Sequence, residues 1–203
     1  MKSDIPVTCL QRLPVYLNYL KSLDGGAEYI SSGAIARALN MGEVLVRKDL
    51  AYTSAQGRTR VGYNRVELVA ALEDYLGCNN KKNAAIFGAG GLGHALLSYG
   101  GFINYGIEIV AAFDKDPEKI GTEISGKPVY DVSETKEGVE KLGVELAVIC
   151  VPATHAQEVA DVLVGCGVKA ILNFAPVLLK VPEDFNVRNI DLAANLAILS
   201  SLI

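Results

Sequence analysis

A glycine-rich segment near the middle of the chain constrains its fold more than any other feature. The apolar run 84–87 leads into Gly88-Ala-Gly-Gly-Leu-Gly93, and a second apolar run, 107–113, ends at Asp114. A strand, a glycine turn, a helix and a second strand tipped by an acid make up the unit that binds dinucleotides in Rossmann folds. The segment therefore predicts a nucleotide-binding domain of this kind.

Each position in this turn has a physical reason. Gly88 permits a tight turn, Gly90 lets the backbone approach a pyrophosphate, and Gly93 lets the helix pack closely on the strand. Asp114 can accept hydrogen bonds from a ribose 2′-hydroxyl and repels a 2′-phosphate, so NADH and NAD+ are favoured over their phosphorylated forms. The alternative is a glycine turn without a ligand, and the flanking strand and acid weigh against it. The expected cofactor-binding residues of the turn are Gly88, Ala89, Gly90, Gly91, Leu92 and Gly93.

Strand and helix patterns alternate through the rest of the C-terminal part. Continuous apolar runs such as 146–151 suit a parallel sheet that helices cover on both faces. We predict an α/β fold with a Rossmann-like doubly wound sheet and a helix at 154–165. An apolar helix at 191–203 must be buried on its own domain or on a partner subunit. The predicted strands are 84–87, 107–113, 127–130, 145–151, 169–173 and 187–190.

Helical spacing of apolar residues predicts four helices in the N-terminal part. The first is stopped by Gly25-Gly26, and Ser31 or Ser32 can cap the second. The stretch 55–63, between the third and fourth helices, is rich in glycine and arginine and too irregular for a helix. This order is typical of a winged helix-turn-helix domain at 1–80, with the Rossmann domain at 81–203. The helices are predicted at 6–23, 33–39, 43–53 and 65–76.

The third predicted helix carries Arg47 and Lys48, which suit a DNA groove. An exposed arginine can reach O6 and N7 of guanine, and a lysine can contact a phosphate. The arginines of the following stretch suit a minor groove or flanking phosphates. The alternative is a solvated charged face on a small helical domain. Val44, Val46 and Leu50 are expected to pack inward, and the arginines of the stretch are Arg58 and Arg60.

Charge is divided unevenly along the chain, whose formal net charge is −4. Residues 1–82 carry +3, which is compatible with DNA binding, whereas residues 83–203 carry −7 and form no nucleic-acid surface by themselves. The four cysteines include no C-x-x-C pair, so we expect neither a metal site nor disulfides, which fits a reducing cytoplasm. We also expect neither a signal peptide nor a membrane span.

Catalytic groups are sparse in this sequence. A dehydrogenase needs a proton donor beside the nicotinamide and a substrate pocket. Of the two histidines only His155 is a candidate, and a surface or capping role fits it better. We therefore expect a protein that is not an enzyme. A small NAD-dependent oxidoreductase and a coenzyme A-binding domain protein stay open as alternatives.

Six motifs in a fixed order are more specific than the glycine pattern alone. They are Val46-Arg-Lys-Asp-Leu-Ala-Tyr52, Val61-Gly-Tyr63, Gly88-Ala-Gly-Gly-Leu-Gly93, Ala112-Phe-Asp-Lys-Asp-Pro117, Val151-Pro-Ala153 and Leu172-Asn-Phe-Ala-Pro-Val177. Over nearly its whole length, the chain resembles the Rex family of redox-sensing transcriptional repressors. The resemblance implies a homodimer that binds double-stranded operator DNA, senses the NADH/NAD+ ratio and is released by NADH. It also implies that the last helix, within a dimerisation segment at 185–203, swaps between subunits and lodges near the partner's DNA-binding domain.

The resemblance also assigns roles to single residues. Tyr99 matches a tyrosine that responds to the nicotinamide, and Asp191 matches an acid that links the swapped helix to that tyrosine or to an arginine, here Arg12. Otherwise Tyr99 is an aromatic at the core edge and Asp191 a helix cap. The expected DNA-binding residues are Arg12, Arg47, Lys48, Tyr52, Arg58, Arg60 and Tyr63; the further cofactor-binding ones are Tyr99, Asp114, Pro152 and Ala153; the switch residues are Tyr99 and Asp191.

Three departures from the family pattern affect the expected contacts. Thr53-Ser-Ala-Gln-Gly57 replaces the usual Phe-Gly-x-Phe-Gly, and Arg60 stands where glycine is common. Ala194 replaces a frequent glutamate. The first two changes alter the end of the reading helix and the wing, and the third alters the last helix.

Overall fold

The computed structural model describes residues 5–23, 25 and 27–203. The chain falls into two compact units, which we call the N-terminal unit, residues 1–80, and the C-terminal unit, residues 81–203. In the part of the chain that the structure describes, no helix combines the length and the hydropathy needed to cross a membrane.

The described residues of the N-terminal unit form four helices and one short antiparallel ladder. Its elements are α1 Val7–Lys21, β1 Tyr29–Ile30, α2 Ser32–Ala38, α3 Glu43–Leu50, β2 Tyr63–Asn64 and α4 Arg65–Leu76. The Ser31 side chain accepts a hydrogen bond from the Ala34 N–H at 3.1 Å, which makes Ser31 rather than Ser32 the cap of α2. Asn64 caps α4 in the same way.

Leucine side chains at helical spacing form the core of the N-terminal unit. On α1, Leu13, Leu17 and Leu20 are at most 2 % exposed, and this helix packs against α3 and α4. Burying a leucine side chain stabilises a fold by about 1.5–3 kcal/mol, so this face holds the helices together. The other buried side chains of the helices include Ile35, Val46, Leu50, Leu68 and Leu72.

The four predicted helices are confirmed, but three of them, α1, α2 and α3, end earlier than the sequence suggested. Helix α1 ends before the glycines, where the Ser22 hydroxyl donates to the Tyr19 carbonyl at 2.7 Å. Gly26, one of the two predicted stop residues, lies outside the described residues. Helix α3 ends at Leu50 because the Thr53 hydroxyl donates to the Leu50 carbonyl at 2.7 Å. Strand β1 was not predicted, since two residues are too few to show alternation.

The C-terminal unit alternates strands and helices around one sheet. Its elements are β3 Lys82–Phe87, α5 Gly91–Leu97, β4 Ile107–Asp114, β5 Glu123–Ile124, β6 Lys127–Asp131, α6 Thr135–Lys141, β7 Val144–Ile149, α7 Ala153–Gly165, β8 Ala170–Asn173, β9 Asn186–Asn189 and α8 Leu192–Ser200, with short 3-10 helices at Gly100–Tyr105 and Val132–Glu134.

The seven strands of this sheet lie in the order β5-β6-β4-β3-β7-β8-β9. Neighbouring strands are parallel except for β5, which runs antiparallel to β6. The chain winds to one side of β3 through β4 and β6, and to the other side through β7, β8 and β9. Between β3 and β7 this reversal opens a crevice at the carboxyl ends of the strands, where doubly wound sheets bind ligands.

Apolar side chains cover both faces of the sheet. On one face, the rings of Phe87 and Phe113 stack with their centroids 4.9 Å apart and belong to the same core as Leu163 of α7. On the other face, Ile86 packs in a core that includes Leu97 of α5. Burial on both faces explains why the strands are continuous apolar runs rather than alternating ones.

The Rossmann-like doubly wound sheet is confirmed, with small differences in length. The six predicted strands are present within two residues at each end, and helix α7 begins at Ala153 rather than at 154. Strand β5 was not predicted because it is a two-residue edge strand. Helix α8 covers Leu192–Ser200 rather than 191–203, and its side chains are exposed in the single chain.

Candidate functional sites

The glycine turn between β3 and α5 separates two uses of glycine. Gly88 has a φ of 100°, and a Cβ atom there would lie 2.9 Å from the backbone of Cys150. A Cβ atom at Gly93 would overlap the carbonyl oxygen of Gly88. In contrast, a Cβ atom at Gly90 would meet nothing within 4 Å. The fold therefore needs Gly88 and Gly93, whereas Gly90 leaves open space in front of the turn.

Asp114, the last residue of β4, connects this strand to the glycine turn. Its carboxylate accepts a hydrogen bond from the Ala89 N–H at 2.6 Å and another from the Asp116 N–H at 3.0 Å. The ammonium group of Lys119 lies 3.6 Å from the same carboxylate. A carboxylate has about four acceptor positions, so Asp114 keeps capacity for a ribose hydroxyl.

A cavity of about 670 Å³ lies beside the turn. It brings together Gly88, Gly90, Asp114 and Pro152, four of the residues expected to bind a cofactor. The volume is within the ordinary range for a small-molecule site, and the mixture of apolar walls with a few polar groups is typical of one. The apolar walls are Phe87, Phe113, Val132, Val151, Val159 and Val162.

The cavity also holds charged groups that the motif did not assign. The ammonium nitrogen of Lys115 lies 3.1 Å from Nε2 of His155, which is in the first turn of α7. Lys119 and Lys136 line the same cavity. Lys115 follows Asp114 directly in the sequence, and this adjacency is the signal that could have pointed to it.

Two expected cofactor residues lie at the start of α7, and one follows α5. Pro152 is the N-cap residue of α7 and Ala153 is its first residue. Tyr99 follows α5, with 60 % of its side chain exposed, and its ring meets that of Phe102 edge-on at 5.2 Å between centroids. The chain by itself thus places Tyr99 at an exposed aromatic pair.

The reading helix predicted from the sequence is α3, and its surface differs from the expectation at one position. Val46 and Leu50 are buried as expected. The inward packing expected of Val44 is wrong, because its side chain is 55 % exposed. Arg47 and Lys48 are also exposed. The exposed surface of α3 therefore combines two cationic side chains with two aliphatic ones, Val44 and Leu45.

Asp49 of α3 is the functional candidate that the sequence did not reveal. It is 3 % exposed. Arg12 of α1 donates to both of its carboxylate oxygens, at 2.6 and 2.8 Å, and the Tyr16 hydroxyl donates to it at 2.6 Å. Burial alone raises the pKa of Asp49, but the hydrogen bonds from Arg12, Tyr16 and Cys9 outweigh it and hold this pKa below its usual value. Arg12 thus ties α1 to α3.

The stretch after α3 forms a tight turn that presents arginines. The N–H and carbonyl groups of Arg58 and Gly62 exchange hydrogen bonds at 2.8 and 2.9 Å. The Arg58 guanidinium donates to the Tyr29 hydroxyl at 2.9 Å and lies 5.4 Å from the centre of that ring. Arg60 has a φ of 64°, in the left-handed region that glycine adopts most readily.

Two tyrosines flank this turn. Tyr52, just after α3, is 41 % exposed. Tyr63 is half-buried, and the backbone of Gly57 packs against its ring. Both aromatic rings lie within the N-terminal unit, next in sequence to the arginines of the turn.

Asp191 acts as a helix cap in the single chain. Its carboxylate accepts a hydrogen bond from the Ala194 N–H at 2.9 Å and so begins α8. The helix that follows exposes several large apolar side chains. Those of α8 that are exposed by 60 % or more are Leu192, Leu196, Ile198 and Leu199, and Leu202 and Ile203 after the helix are exposed as well.

A helical unit with an exposed cationic helix and turn, followed by a Rossmann-like unit with a ligand cavity, defines the class of ligand-responsive DNA-binding proteins. Family models match each part. A model described as "CoA binding domain" matches residues 79–177, and one described as "Putative DNA-binding protein N-terminus" matches residues 4–51.

Curated relatives and solved structures define the family. The redox-sensing transcriptional repressor Rex of Bacteroides fragilis is 42% identical over 96% of this chain and 89% of its own length. The protein of the same name from Carboxydothermus hydrogenoformans is 44% identical over 97% and 95%. The crystal structure of RSP in complex with beta-NAD+ and operator DNA has a TM-score of 0.93 and 32% identity, covering 98% of this chain and 93% of that one. The structure of RSP with beta-NADH gives a TM-score of 0.88. The chain belongs to the Rex family of redox-sensing transcriptional repressors.

Proposed function

We propose that the protein is a transcriptional repressor that binds operator DNA as a homodimer and that NADH releases it. The observation that carries this proposal is the pairing, in one chain, of the exposed cationic α3 with the cavity beside the glycine turn. The relatives named redox-sensing transcriptional repressor Rex and the RSP complexes with operator DNA, NAD+ and NADH support the proposal. The protein thereby senses the NADH/NAD+ ratio.

The DNA-binding surface is assigned to α3 and the turn after it. Arg47 contacts base edges, Lys48 contacts phosphate, and Arg58 and Arg60 of the turn approach the flanking backbone. Arg58 is well placed for this role because the Tyr29 ring and hydroxyl hold its guanidinium. Tyr52 and Tyr63 complete the surface. Arg12 is assigned a different role from the expected one: it positions α3 through Asp49.

The dinucleotide is assigned to the cavity of the C-terminal unit. Its pyrophosphate lies in front of Gly90 and Gly91, and its adenosine ribose faces Asp114. The apolar walls of the cavity suit an adenine ring, and the nicotinamide extends past Pro152 and Ala153 towards the far side of the crevice. Leu92 and Ala89 contribute the remaining backbone of the turn.

The homodimer is supported by the exposed apolar side chains of α8. A helix of this composition is stable in water only when a partner covers it. We assign this cover to a second copy, with α8 swapped between subunits. Tyr99 and Asp191 act as the switch. Asp191 gives up its cap contact with the Ala194 N–H and makes a new contact that depends on the nicotinamide, and this exchange moves α8.

Two further parts of the proposal concern catalysis and location. We propose that the protein turns over no substrate, because its relatives are named transcriptional repressors, and that it works in the cytoplasm. Coenzyme A is a second candidate ligand, since the "CoA binding domain" model covers the cavity residues. The ribose of coenzyme A carries a phosphate beside the hydroxyl assigned to Asp114, so coenzyme A should fail to displace NADH if the Asp114 carboxylate faces the ribose and repels that phosphate.

One titration tests the proposed function. The labelled probe is the operator duplex that RSP binds in its crystal structure, and binding is followed by fluorescence anisotropy with NAD+, with NADH and with NADH plus coenzyme A. Binding should be tight with NAD+ and weaker by about 5–150-fold with NADH, the usual range of coupling between two sites. Equal binding in all mixtures would contradict the proposal.

The same titration separates base contacts from general charge. Arg47→Ala should weaken operator binding by about 1–3 kcal/mol, the value of a bidentate contact to guanine. Lys141→Ala, which removes one exposed positive charge from α6 of the C-terminal unit, serves as the control and should leave binding unchanged. If the two variants bind alike, α3 is not the reading helix.

A further inference from the structure

Asn173, the last residue of β8, is a buried side chain whose polar groups are all engaged. Its exposed fraction is 0 %. Its amide nitrogen lies within hydrogen-bond distance of three acceptors, which share its two hydrogens: the carbonyl oxygens of Ala175 and Val177, at 3.2 and 2.9 Å, and Oδ1 of Asn189 at 2.9 Å. Its own Oδ1 accepts a hydrogen bond from the Ala175 N–H at 3.0 Å. A buried amide satisfied in this way fixes its neighbours firmly, because any displacement leaves a polar group unpaired.

One set of these neighbours, Ala175 and Val177, lies at the carboxyl ends of the strands, the edge of the sheet to which the dinucleotide is assigned. Residues 174–177 follow the carboxyl end of β8, and the Phe174 N–H donates to the Ile149 carbonyl at the end of β7. Strands β3, β7 and β8 are parallel neighbours, so their carboxyl ends form one edge. Asp114 marks the ribose side of that edge on β4. The loop at 174–177 is therefore on the opposite side of β3, where the nicotinamide end of the dinucleotide lies.

The other set of neighbours leads into α8. Asn173 pairs with Asn189 in the β8–β9 register, and the Ile190 N–H donates to the Asn173 carbonyl at 2.8 Å. The next residue, Asp191, caps α8. Asn173 thus holds the start of α8 twice, through the side chain of Asn189 and through the backbone of Ile190.

We propose that Asn173 is the positioning residue that couples the nicotinamide side of the crevice to α8, with the Asn189 side chain as its contact. The inference rests on the proposed function, in which α8 forms the contact between the two subunits. A shift of the loop at 174–177 on binding of the reduced nicotinamide moves the amide of Asn173. The chain entering α8 follows because it is bonded to the same amide.

Asn189 offers a cleaner test than Asn173 itself. Replacing Asn173 would leave the backbone groups of Ala175 and Val177 unpaired, and the unit would be destabilised. Asn189 is exposed, and without its side chain the Asn173 amide still has two carbonyl acceptors. Asn189→Ala removes the contact, Asn189→Asp keeps an acceptor oxygen, and Asn186→Ala removes an exposed asparagine from the same strand as a control.

The experiment uses the full chain and measures two quantities for each variant. NADH fluorescence gives the affinity for NADH, and anisotropy of the labelled operator duplex gives the ratio of its dissociation constants with NADH and with NAD+. For Asn189→Ala this ratio should fall at least about five-fold, a change on the scale of ordinary allosteric coupling. NADH affinity and the melting temperature should stay unchanged. Asn189→Asp and Asn186→Ala should keep the wild-type ratio.

An unchanged ratio in Asn189→Ala would overturn the inference, and so would a loss of NADH affinity, since Asn189 would then shape the ligand site rather than the coupling. A ratio lost equally in Asn189→Asp would overturn it as well. If the wild-type chain itself bound the operator equally with both cofactors, the proposed function would fall and this inference with it.

Discussion

At the scale of single residues, the glycines of the turn between β3 and α5 have different roles. Gly93 is required by the chain, since any side chain would collide with the Gly88 carbonyl. Gly90 has a φ of −72° and an extended backbone, which every residue can adopt, and the space around it is open. Folding alone therefore gives no reason for glycine at position 90. The pyrophosphate that we propose to lie in front of this backbone supplies such a reason.

Gly90→Ala should consequently separate binding from folding. Alanine fits the backbone conformation, so the free energy of unfolding should stay the same or rise by about 0.4–1 kcal/mol. The added methyl group occupies the space in front of the turn, so NADH affinity should fall at least about ten-fold, or 1.4 kcal/mol. Thermal unfolding and NADH fluorescence measure the two effects.

Gly93→Ala is the matched control, and it should lower the melting temperature because its methyl group has no room. Wild-type NADH affinity in Gly90→Ala would mean that no pyrophosphate approaches this backbone, and the assignment of the cavity would have to be abandoned.

The residue scale also shows what a sequence can and cannot specify. The glycines and Asp114 were predictable because their roles depend on neighbours within about thirty positions, as in any βαβ unit. Asp49 was not, because it looks like an ordinary polar residue of an exposed helix. Its partners Arg12 and Tyr16 are 37 and 33 positions away, and only the packing of α1 on α3 brings them together.

At the scale of elements, apolar periodicity located every long helix and strand, whereas local polar bonds set their ends. Helix α1 ends where the Ser22 hydroxyl donates to the Tyr19 carbonyl, and α3 ends at Leu50, whose carbonyl accepts a hydrogen bond from the Thr53 hydroxyl. The two-residue strands β1 and β5 carry no periodic signal at all. The sequence therefore determined which elements exist better than where they end.

Helix α3 is held by the ion pair between Arg12 and Asp49 as well as by the buried side chains of Val46 and Leu50, and the ion pair makes its stability depend on pH. The pKa of Asp49 is lowered in the folded chain. A carboxylate of lowered pKa contributes stability that is fully present above its unfolded pKa, near 3.9, and that is lost as the pH falls through the folded value. Stability from this pair should therefore be complete at neutral pH and disappear only below about pH 4.

Asp49→Asn should remove this contribution. The amide leaves the Arg12 guanidinium without its charge partner, and the loss should be about 3 kcal/mol at pH 7, at the low end for a buried pair because Arg12 keeps contact with water. Urea unfolding of the full chain at pH 7 and at pH 3.5 measures this loss. The difference in the free energy of unfolding between the variant and the wild type should be smaller at the lower pH. A difference that is the same at both pH values would rule out the ion pair as its cause.

At the scale of the whole molecule, the exposed side chains of α8 indicate that the chain needs a partner to cover this helix. Its apolar side chains follow Asp191 with no charged residue among Leu192–Ser200. Contiguous apolar surface of this kind marks a protein–protein contact. In the homodimer that we propose, a second copy covers this surface, and two DNA-binding units in one dimer match the two half-sites of an operator.

Leu196→Glu tests this argument, since Leu196 is 68 % exposed in the chain but buried in the proposed dimer. A carboxylate buried without a partner costs several kcal/mol, and a loss of about 4 kcal/mol raises the dissociation constant of the dimer about a thousand-fold. Light scattering after size exclusion should show a monomer, and operator binding should weaken because only one half-site is held at a time. Val66→Glu, at a similarly exposed apolar position on α4, should leave the oligomeric state unchanged. A Leu196→Glu chain that stays dimeric would place the subunit interface elsewhere, and α8 would then need another partner to cover it.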